Sequence, residues 1–295
     1  MPLITTSDDF KLHFEEAGSG IPIVFAHEFG GDIRSWEPQI RYFARNYRVI
    51  AFNARGYPPS DVPKDDKSYG QKRATDDILD LLDELQIEKA HIVGLSMGGF
   101  ATLHFGFNYP DRALSLTIAG AGYGAHPDVH KKFSEETKQV ANRIEADTME
   151  KFAEIYAIGP TRVQFANKDP YGWKIFANQL KEHSTIGSAN TMRSVQGKRP
   201  SLYDFVNQMQ NLTVPTFIIN GDEDDPCLDV ALFMKRNIHS SALVLLPRSG
   251  HLINLEEPAL FNQMLGEFLA RVDVGRWEMR DKRSITSNIL WTPDD

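Results

Sequence analysis

Apolar and polar positions alternate along the first 120 residues in a way that predicts strands and helices in turn. Residues 3–6 and 10–17 alternate around a polar turn, which predicts a β-hairpin at a sheet edge. Residues 21–26, 47–52, 90–93 and 114–119 are almost wholly apolar, as is typical of strands buried on both faces of a parallel sheet. Between these strands, Ala74, Ile78 and Leu81 recur at helical spacing, and Ser35 is expected to cap a helix that ends near Arg45.

The strand pattern stops after residue 124 and resumes near residue 211. Residues 125–210 contain only helical patterns, followed by strands at 214–220 and 242–246 and a last helix that opens at Pro258. We therefore expect an α/β core from 1–124 and 211–275, with an all-helical cap at 125–210 that lies over the strand ends. The alternative is a helical subdomain without a gating role. In the charged tail, 276–295, Trp277 and Trp291 suggest docking on the domain or on a partner.

This order of elements predicts a doubly wound, mostly parallel sheet of about eight strands with an inserted helical cap. A chain of 295 residues is long enough to bury a large core, as one such domain or two smaller ones. The carboxyl ends of parallel strands meet at one edge of a sheet, so polar turns after the strands should lie together there.

Composition excludes several classes of function. The formal net charge of −8 argues against a nucleic-acid surface. Cys227 is the single cysteine, expected to be a small apolar filler, and no Cys/His cluster has metal-ligand spacing. Residues 1–9 do not resemble a signal peptide, and no stretch has the roughly 18 apolar residues of a membrane span. A cytoplasmic enzyme or binding protein without metal or cofactor is expected.

Residues 94–98 form a Gly-x-Ser-x-Gly motif between a predicted strand and a predicted helix. This context favours a nucleophile elbow, in which a strained turn presents Ser96 and passing chain leaves no room for a Cβ at Gly94 or Gly98. A glycine-rich turn that merely contains a serine is the alternative interpretation.

A serine hydroxyl becomes a nucleophile when an oriented base takes its proton. Residues 221–226 follow one predicted strand and supply Asp222, Asp224 and Asp225, whereas His251 lies in a turn after the next strand. The order serine, aspartate, histidine along the chain is the one expected of a triad on this kind of fold. The sequence thus offers Ser96 a base and a choice of acids.

With these motifs, the sequence resembles the α/β-hydrolase fold family over residues 1 to about 272. The resemblance selects Asp224 as the acid because the family's acid usually stands three residues after the strand-ending glycine. It also implies an oxyanion hole formed by the backbone N–H groups of Phe29 and Met97, and a bracing role for His27 in the loop after the third strand.

The sequence departs from the family pattern at two positions. Glu28 stands where the family has glycine after the histidine, and its Cβ is expected to alter the turn that positions Phe29. Glu28 either points into the substrate pocket or binds back to its own loop, and the second interpretation is favoured. Asn53 replaces the aspartate of the family's Asp-x-Arg-Gly motif, in which Arg55 should tie loops together without contacting substrate.

These observations predict a serine hydrolase that cleaves a small to medium carboxylic ester or lactone through an acyl-enzyme on Ser96. Alternatives on the same fold are a carbon–carbon bond hydrolase, a cofactor-free haloperoxidase or perhydrolase, and a ligand receptor without turnover. Trp173, like Glu28, is a candidate for the substrate pocket, although its helical spacing suits a core position equally. The expected partner is a small molecule, and a homo-oligomer is compatible with the sequence.

Overall fold

The computed structural model describes residues 1–285 and residue 289, and its centre is one eight-stranded sheet. The strands are β1 (Leu3–Thr5), β2 (Lys11–Gly18), β3 (Pro22–Ala26), β4 (Arg48–Phe52), β5 (Ala90–Leu95), β6 (Ala113–Ala119), β7 (Thr216–Gly221) and β8 (Ser241–Leu246). Their spatial order is β1-β2-β4-β3-β5-β6-β7-β8, with β2 antiparallel to both neighbours and every pair from β4 to β8 parallel. The predicted fold class is confirmed.

Helices cover both faces of the sheet. They are α1 (Glu37–Phe43), α2 (Gln71–Glu84), α3 (Met97–Asn108), α4 (Pro127–Tyr156), α5 (Val163–Lys168), α6 (Pro170–Lys181), α7 (Thr185–Asn190), α8 (Val206–Asn211), α9 (Asp225–Asn237), α10 (Ile253–Glu256) and α11 (Pro258–Asp273). Successive strand residues face opposite sides, so Val24 and Ile92 pack in one apolar core while Phe25 and Val93 pack in the other. Burial on both faces explains the continuous apolar runs of the central strands.

The first helix does not begin as the sequence predicts. Asp32, not Ser35, caps this segment: its carboxylate accepts a hydrogen bond of 2.8 Å from the Arg34 N–H and starts a short 3₁₀ turn. The Ser35 hydroxyl instead donates to the Asp32 carbonyl at 2.6 Å, and α1 starts after the turn with no side-chain cap. The cap prediction was wrong because two residues of capping type lie three positions apart, and the upstream one is used.

Every regular element between β6 and β7 is helical, and we call the segment from α4 to α8, residues 127–211, the cap. Its longest helix, α4, is interrupted at Thr148, where φ is +66°. A π-helical turn at Thr191–Gln196 follows α7 and leads the chain back towards the core. The cap therefore consists of several short helices joined by breaks, and it lies on the side of the sheet where β5, β7 and β8 end.

The residues directly after α11 contact the core through Trp277 and Arg280. The Trp277 indole N–H donates to the Ser240 carbonyl at 2.7 Å, and its ring packs edge-on against Phe268. The Arg280 N–H donates to the His239 carbonyl. Trp291 lies outside the described residues. Among the helices that the structure describes, none combines the length and apolarity needed to cross a lipid bilayer.

Candidate active site

Ser96 occupies a strained turn between β5 and α3. Its φ and ψ are +54° and −111°, in a region that residues with a Cβ seldom adopt. The turn is fixed from both sides, because the Ser96 N–H donates to the Ala119 carbonyl at 2.8 Å and the Ser96 carbonyl accepts from the Phe100 N–H at 2.9 Å. The side chain is half-buried at the edge of a cavity. This geometry is that of a nucleophile elbow.

Asp224 and His251 meet beside this turn. The His251 Nδ1 lies 2.7 Å from the Asp224 carboxylate, and both side chains are buried. Because a carboxylate only accepts, Nδ1 carries the proton, which leaves Nε2 as the basic nitrogen. Among the described residues no hydrogen bond joins Ser96 to His251, but both side chains line the same cavity. The acidic neighbours Asp222, Glu223 and Asp225 are exposed, so burial and contact single out Asp224.

A buried carboxylate positions the loop that carries His251. Glu256 accepts hydrogen bonds from the N–H groups of Gly250 at 2.7 Å and of Leu252 at 3.0 Å, on either side of the histidine. Burial raises the pKa of Glu256. The sequence shows this residue only as part of an acidic pair before Pro258, so its bracing role was not predicted.

Two backbone N–H groups, those of Phe29 and Met97, are free beside the elbow. Neither donates a hydrogen bond to any described part of the chain, although both residues are buried. Buried N–H groups are rarely left unpaired, which makes these two suited to hold a developing oxyanion. His27 braces their loop: Nδ1 lies 2.7 Å from the Glu28 carbonyl, and Nε2 accepts from the Ala54 N–H at 3.0 Å. Burial lowers the pKa of His27 and favours the neutral ring that this pairing needs.

Glu28 turns away from the cavity and binds within the protein. One carboxylate oxygen accepts from the Gly30 N–H at 2.8 Å and from the Arg162 guanidinium, at the start of α5, at 2.7 Å. Both charged side chains are almost completely buried, with exposed fractions of 1% and 0%. Arg162 also stacks on Tyr156. The residue that departs from the family pattern therefore links the oxyanion loop to the cap.

A cavity of about 570 Å³ opens above Ser96, and we call it the serine cavity. Ser96, Asp224 and His251 line it together with Phe29. Most of the other lining residues come from the cap, and its apolar members are Phe133, Val140, Phe152, Tyr156 and Met192. One buried charged side chain other than the acid and base lines it as well, that of Arg199. A small molecule that is mainly apolar, with or without one charged group, fits such a lining.

Glu28 and Trp173, the two residues considered for the pocket, lie outside the serine cavity. The Trp173 indole N–H donates to the Ala157 carbonyl at 2.6 Å and holds the cap together. Arg162 and Arg199 were not predicted because each lies in a turn or loop between helices of the cap, where burial depends on tertiary packing.

Two groups of side chains bring three potential metal ligands together among the described residues, namely Asp224 with Cys227 and His251, and Asp8 with Asp77 and Asp80. In the first, the aspartate and histidine already bind each other, and the Cys227 thiol, whose pKa is raised by burial, points at the Gly120 carbonyl. In the second, the carboxylates of Asp8 and Asp77 bind Arg55. Both groups are thus accounted for by hydrogen bonds and ion pairs.

The second departure from the family pattern also has a local explanation. The Asn53 side chain accepts from the Ile33 N–H at 2.9 Å and donates to the Pro58 carbonyl at 2.8 Å. A carboxylate could make only the first of these bonds. Arg55 binds Asp77 and the Ser68 carbonyl, as a residue that ties loops together would.

A sequence model of the alpha/beta hydrolase fold family matches residues 21–258. Among curated proteins, the chain is 29% identical over 255 residues to 3-oxoadipate enol-lactonase 1 of Acinetobacter baylyi, covering 85% of this chain and 89% of that protein. It is 27% identical over 271 residues to the 2-hydroxy-6-oxononadienedioate/2-hydroxy-6-oxononatrienedioate hydrolase of Comamonas testosteroni, covering 89% and 92%.

A solved structure of a thermophilic esterase from Thermogutta terrifontis superposes on the chain with a TM-score of 0.81. The two sequences are 27% identical, and the alignment covers 92% of this chain and 98% of the esterase. The similarity thus extends over both the sheet and the cap.

Proposed function

Because the chain belongs to the alpha/beta hydrolase fold family, we propose that it is a serine hydrolase that cleaves a small to medium carboxylic ester or lactone. The observation that carries the proposal is the buried Asp224–His251 hydrogen bond of 2.7 Å at the wall of the cavity that Ser96 lines. An esterase and an enol-lactonase among the similar proteins support this choice of substrate bond.

In the proposed reaction, His251 Nε2 takes the proton of the Ser96 hydroxyl while Oγ attacks the ester carbonyl. Asp224 fixes the tautomer and orientation of the imidazole and stabilises its charged form. The N–H groups of Phe29 and Met97 donate to the oxyanion, and each such donor typically contributes about 3 to 4 kcal/mol. His251 then protonates the leaving alkoxide, and a water that it deprotonates releases the acyl group from Ser96 as the carboxylic acid.

A carbon–carbon bond hydrolase is the second candidate. The relative from Comamonas testosteroni is named for such substrates, and it resembles this chain over 92% of its own length. The same serine, histidine and oxyanion donors can serve either reaction, so the distinction depends on which bond the cavity holds near Ser96. Parallel assays with simple esters and with a vinylogous 1,5-diketone separate the two, since an ester hydrolase turns over the first set and leaves the diketone intact.

Burst kinetics with p-nitrophenyl acetate test the proposal. We expect one equivalent of nitrophenolate per active site when acylation outruns deacylation, and a fluorophosphonate should add its mass to the peptide that contains Ser96. Ser96→Ala should lower kcat by at least about 10⁴-fold and abolish labelling. Asp224→Asn should lower kcat by about 10³- to 10⁴-fold because the wrong tautomer is favoured.

Two variants serve as controls. Ser19→Ala changes an exposed serine in the turn between β2 and β3, and Asp222→Asn changes an exposed neighbour of the proposed acid. Both should keep wild-type turnover within a few-fold. Full activity of Ser96→Ala, or equal losses in Asp222→Asn and Asp224→Asn, would contradict the proposed mechanism.

A further inference from the structure

Arg199 is a buried cation that faces neutral groups. Only 4% of the residue is exposed. Its guanidinium donates to the Gln196 side-chain oxygen and to the Tyr123 carbonyl, and it stacks on the ring of Phe100 at 3.7 Å and that of Phe133 at 5.0 Å. The stacking and the two hydrogen bonds hold the planar group in a fixed orientation.

The charge of Arg199 has no anionic partner among the residues that the structure describes. Within residues 1–285, no carboxylate oxygen lies within 4 Å of the guanidinium. Burial without such a partner lowers the pKa of Arg199 to about 9, so the side chain is still protonated at neutral pH. An uncompensated buried charge is costly, and buried charges in proteins are as a rule paired with an opposite charge.

Arg199 lies in the wall of the cavity that also contains Ser96. Phe100, on which the guanidinium rests, belongs to the first turn of α3, the helix that Ser96 precedes. The acidic residues of the same wall are far more accessible to water: Glu223 and Asp225 are exposed, and Glu136 is paired with Lys132 at 3.5 Å. The buried charges of the cavity are therefore Arg199 and the hydrogen-bonded pair Asp224 and His251.

We propose that Arg199 forms an anionic subsite, which binds a carboxylate carried by the ester or lactone substrate while Ser96 attacks its carbonyl. This inference rests on the proposed function and specifies its substrate class. A carboxylate matches the guanidinium in planarity and neutralises its single charge, whereas a doubly charged phosphate monoester would leave an excess charge in an apolar cavity. Phe133 and the other apolar walls fit the hydrocarbon chain between the two functional groups.

Matched pairs of esters test the subsite. Monomethyl adipate and methyl hexanoate place or omit a carboxylate on the acyl half, and 4-acetoxybutanoate and butyl acetate do so on the alcohol half. We expect the wild-type enzyme to hydrolyse the charged member of at least one pair with the higher kcat/KM. In Arg199→Gln the charged-to-neutral ratio should fall by about ten- to a hundredfold, the usual range for losing a charged hydrogen bond.

Arg193→Gln is the matched control, because Arg193 lies in the same segment, outside the cavity wall, and pairs with Glu145 at 2.8 Å. It should keep the wild-type ratio. Melting curves and circular dichroism establish whether each variant folds. If Arg199→Gln does not fold, Arg199→Lys takes its place: it retains the charge and should keep part of the wild-type preference for the charged esters.

Calorimetric titration of Ser96→Ala with monomethyl adipate and with 4-acetoxybutanoate measures the subsite without hydrolysis. If Ser96→Ala binds a charged ester and adding Arg199→Gln abolishes that binding, the subsite is supported. This holds even if the wild-type protein turns over no ester, and in that case only the proposed function fails. A wild-type enzyme that favours the neutral member of both pairs overturns the subsite. So does a charged-to-neutral ratio that Arg199→Gln leaves unchanged.

Discussion

At the residue scale, the elbow depends on two positions where a methyl group has no room. A Cβ at Gly94 would collide with the Gly98 carbonyl, and one at Gly98 would collide with the Ala26 carbonyl. Ser96 between them has a positive φ, so the turn combines close approach with backbone strain. The requirement for glycine at both positions could be predicted from the motif, although the clash at Gly94 is with the motif itself and the clash at Gly98 is with the end of β3.

Other residues of the site could not be predicted in this way. The choice among Asp222, Asp224 and Asp225 needed a family pattern, since the three carboxylates are chemically the same and differ only in burial. Arg199 gave no signal, because the two rings on which it stacks, Phe100 on α3 and Phe133 on α4, lie more than 60 residues upstream along the chain. Local sequence carries no information about which side chains are absent from such a neighbourhood.

His104, on the buried helix α3, leads to a prediction about acid stability. Burial lowers its pKa from 6.5 to about 4, and its ring packs against Phe205 and Phe107. The unfolded chain therefore binds a proton at higher pH than the folded one, so the stabilising contribution is complete above pH 6.5 and is lost as the pH falls through 4. By about pH 5 the loss should be about 2 kcal/mol of unfolding free energy.

His104→Phe should remove this loss, which urea unfolding at about pH 7 and about pH 5 measures as a smaller difference in unfolding free energy than in the wild type. His239→Phe, the same change at a half-buried position, controls for removal of an imidazole. An unchanged pH dependence in His104→Phe would mean that protonation of this ring does not limit acid stability.

At the scale of elements, strands and long amphipathic helices followed from periodicity, whereas short or capped elements did not. The start of α1 was misassigned because Asp32 and Ser35 both suit a cap, and only Asp32 faces the free N–H of Arg34. Helix α9 was not predicted, although Val230, Ala231 and Met234 recur at helical spacing and are buried. The acidic residues at its start are typical of a turn, and for this reason the helical spacing that follows them was not recognised.

The ion pair between Glu28 and Arg162 joins two elements, the oxyanion loop and the cap. Removing one partner of a buried pair leaves an isolated charge, so Glu28→Gln and Arg162→Met should each cost about 3 to 5 kcal/mol of unfolding free energy. The double variant should lose less unfolding free energy than the sum of the losses in the two single variants, because it buries neither charge without a partner. Urea unfolding of the four proteins measures this coupling.

The same variants report on the loop. If the pair positions the Phe29 N–H, kcat for ester hydrolysis should fall in both single variants more than KM changes, and Arg162→Lys should restore part of it. Lys181→Gln, which breaks an exposed pair with Glu154, should cost under about 1 kcal/mol and leave kcat unchanged. Additive losses of stability in the double variant would show that the two charges are not coupled.

At the scale of the whole molecule, the cap is joined to the core at several separated points. Besides Glu28 and Arg162, Arg34 binds Glu182 at 2.6 Å and Lys168 binds Glu257 at 2.6 Å. Glu28 and Arg34 lie in the connection between β3 and α1, and Glu257 lies between α10 and α11, so the cap is held at separate parts of the core. The sequence predicts a helical cap at residues 125–210, but the attachment of this segment depends on pairs more than 80 residues apart and could not be predicted from local pattern.

Attachment at many points predicts that cap and core unfold together. In pulse-labelling hydrogen exchange across a urea series, peptides from α7 in the cap and from β5 in the core should lose protection at the same urea concentration. The exposed amides at the start of α4 provide an internal reference for fast exchange. Loss of protection in α7 at lower urea than in β5 would identify the cap as a separate unfolding unit.

Cys227 gives the protein an internal chemical reporter. It is the single thiol of the chain, it is fully buried, and it lies at the start of α9 beside Asp224. A thiol reagent therefore reacts only while this part of the structure is open. Its reaction rate measures, with no mutation and no added label, how often the start of α9 next to the candidate catalytic acid opens to solvent. The same rate shows how strongly a bound ligand slows that opening.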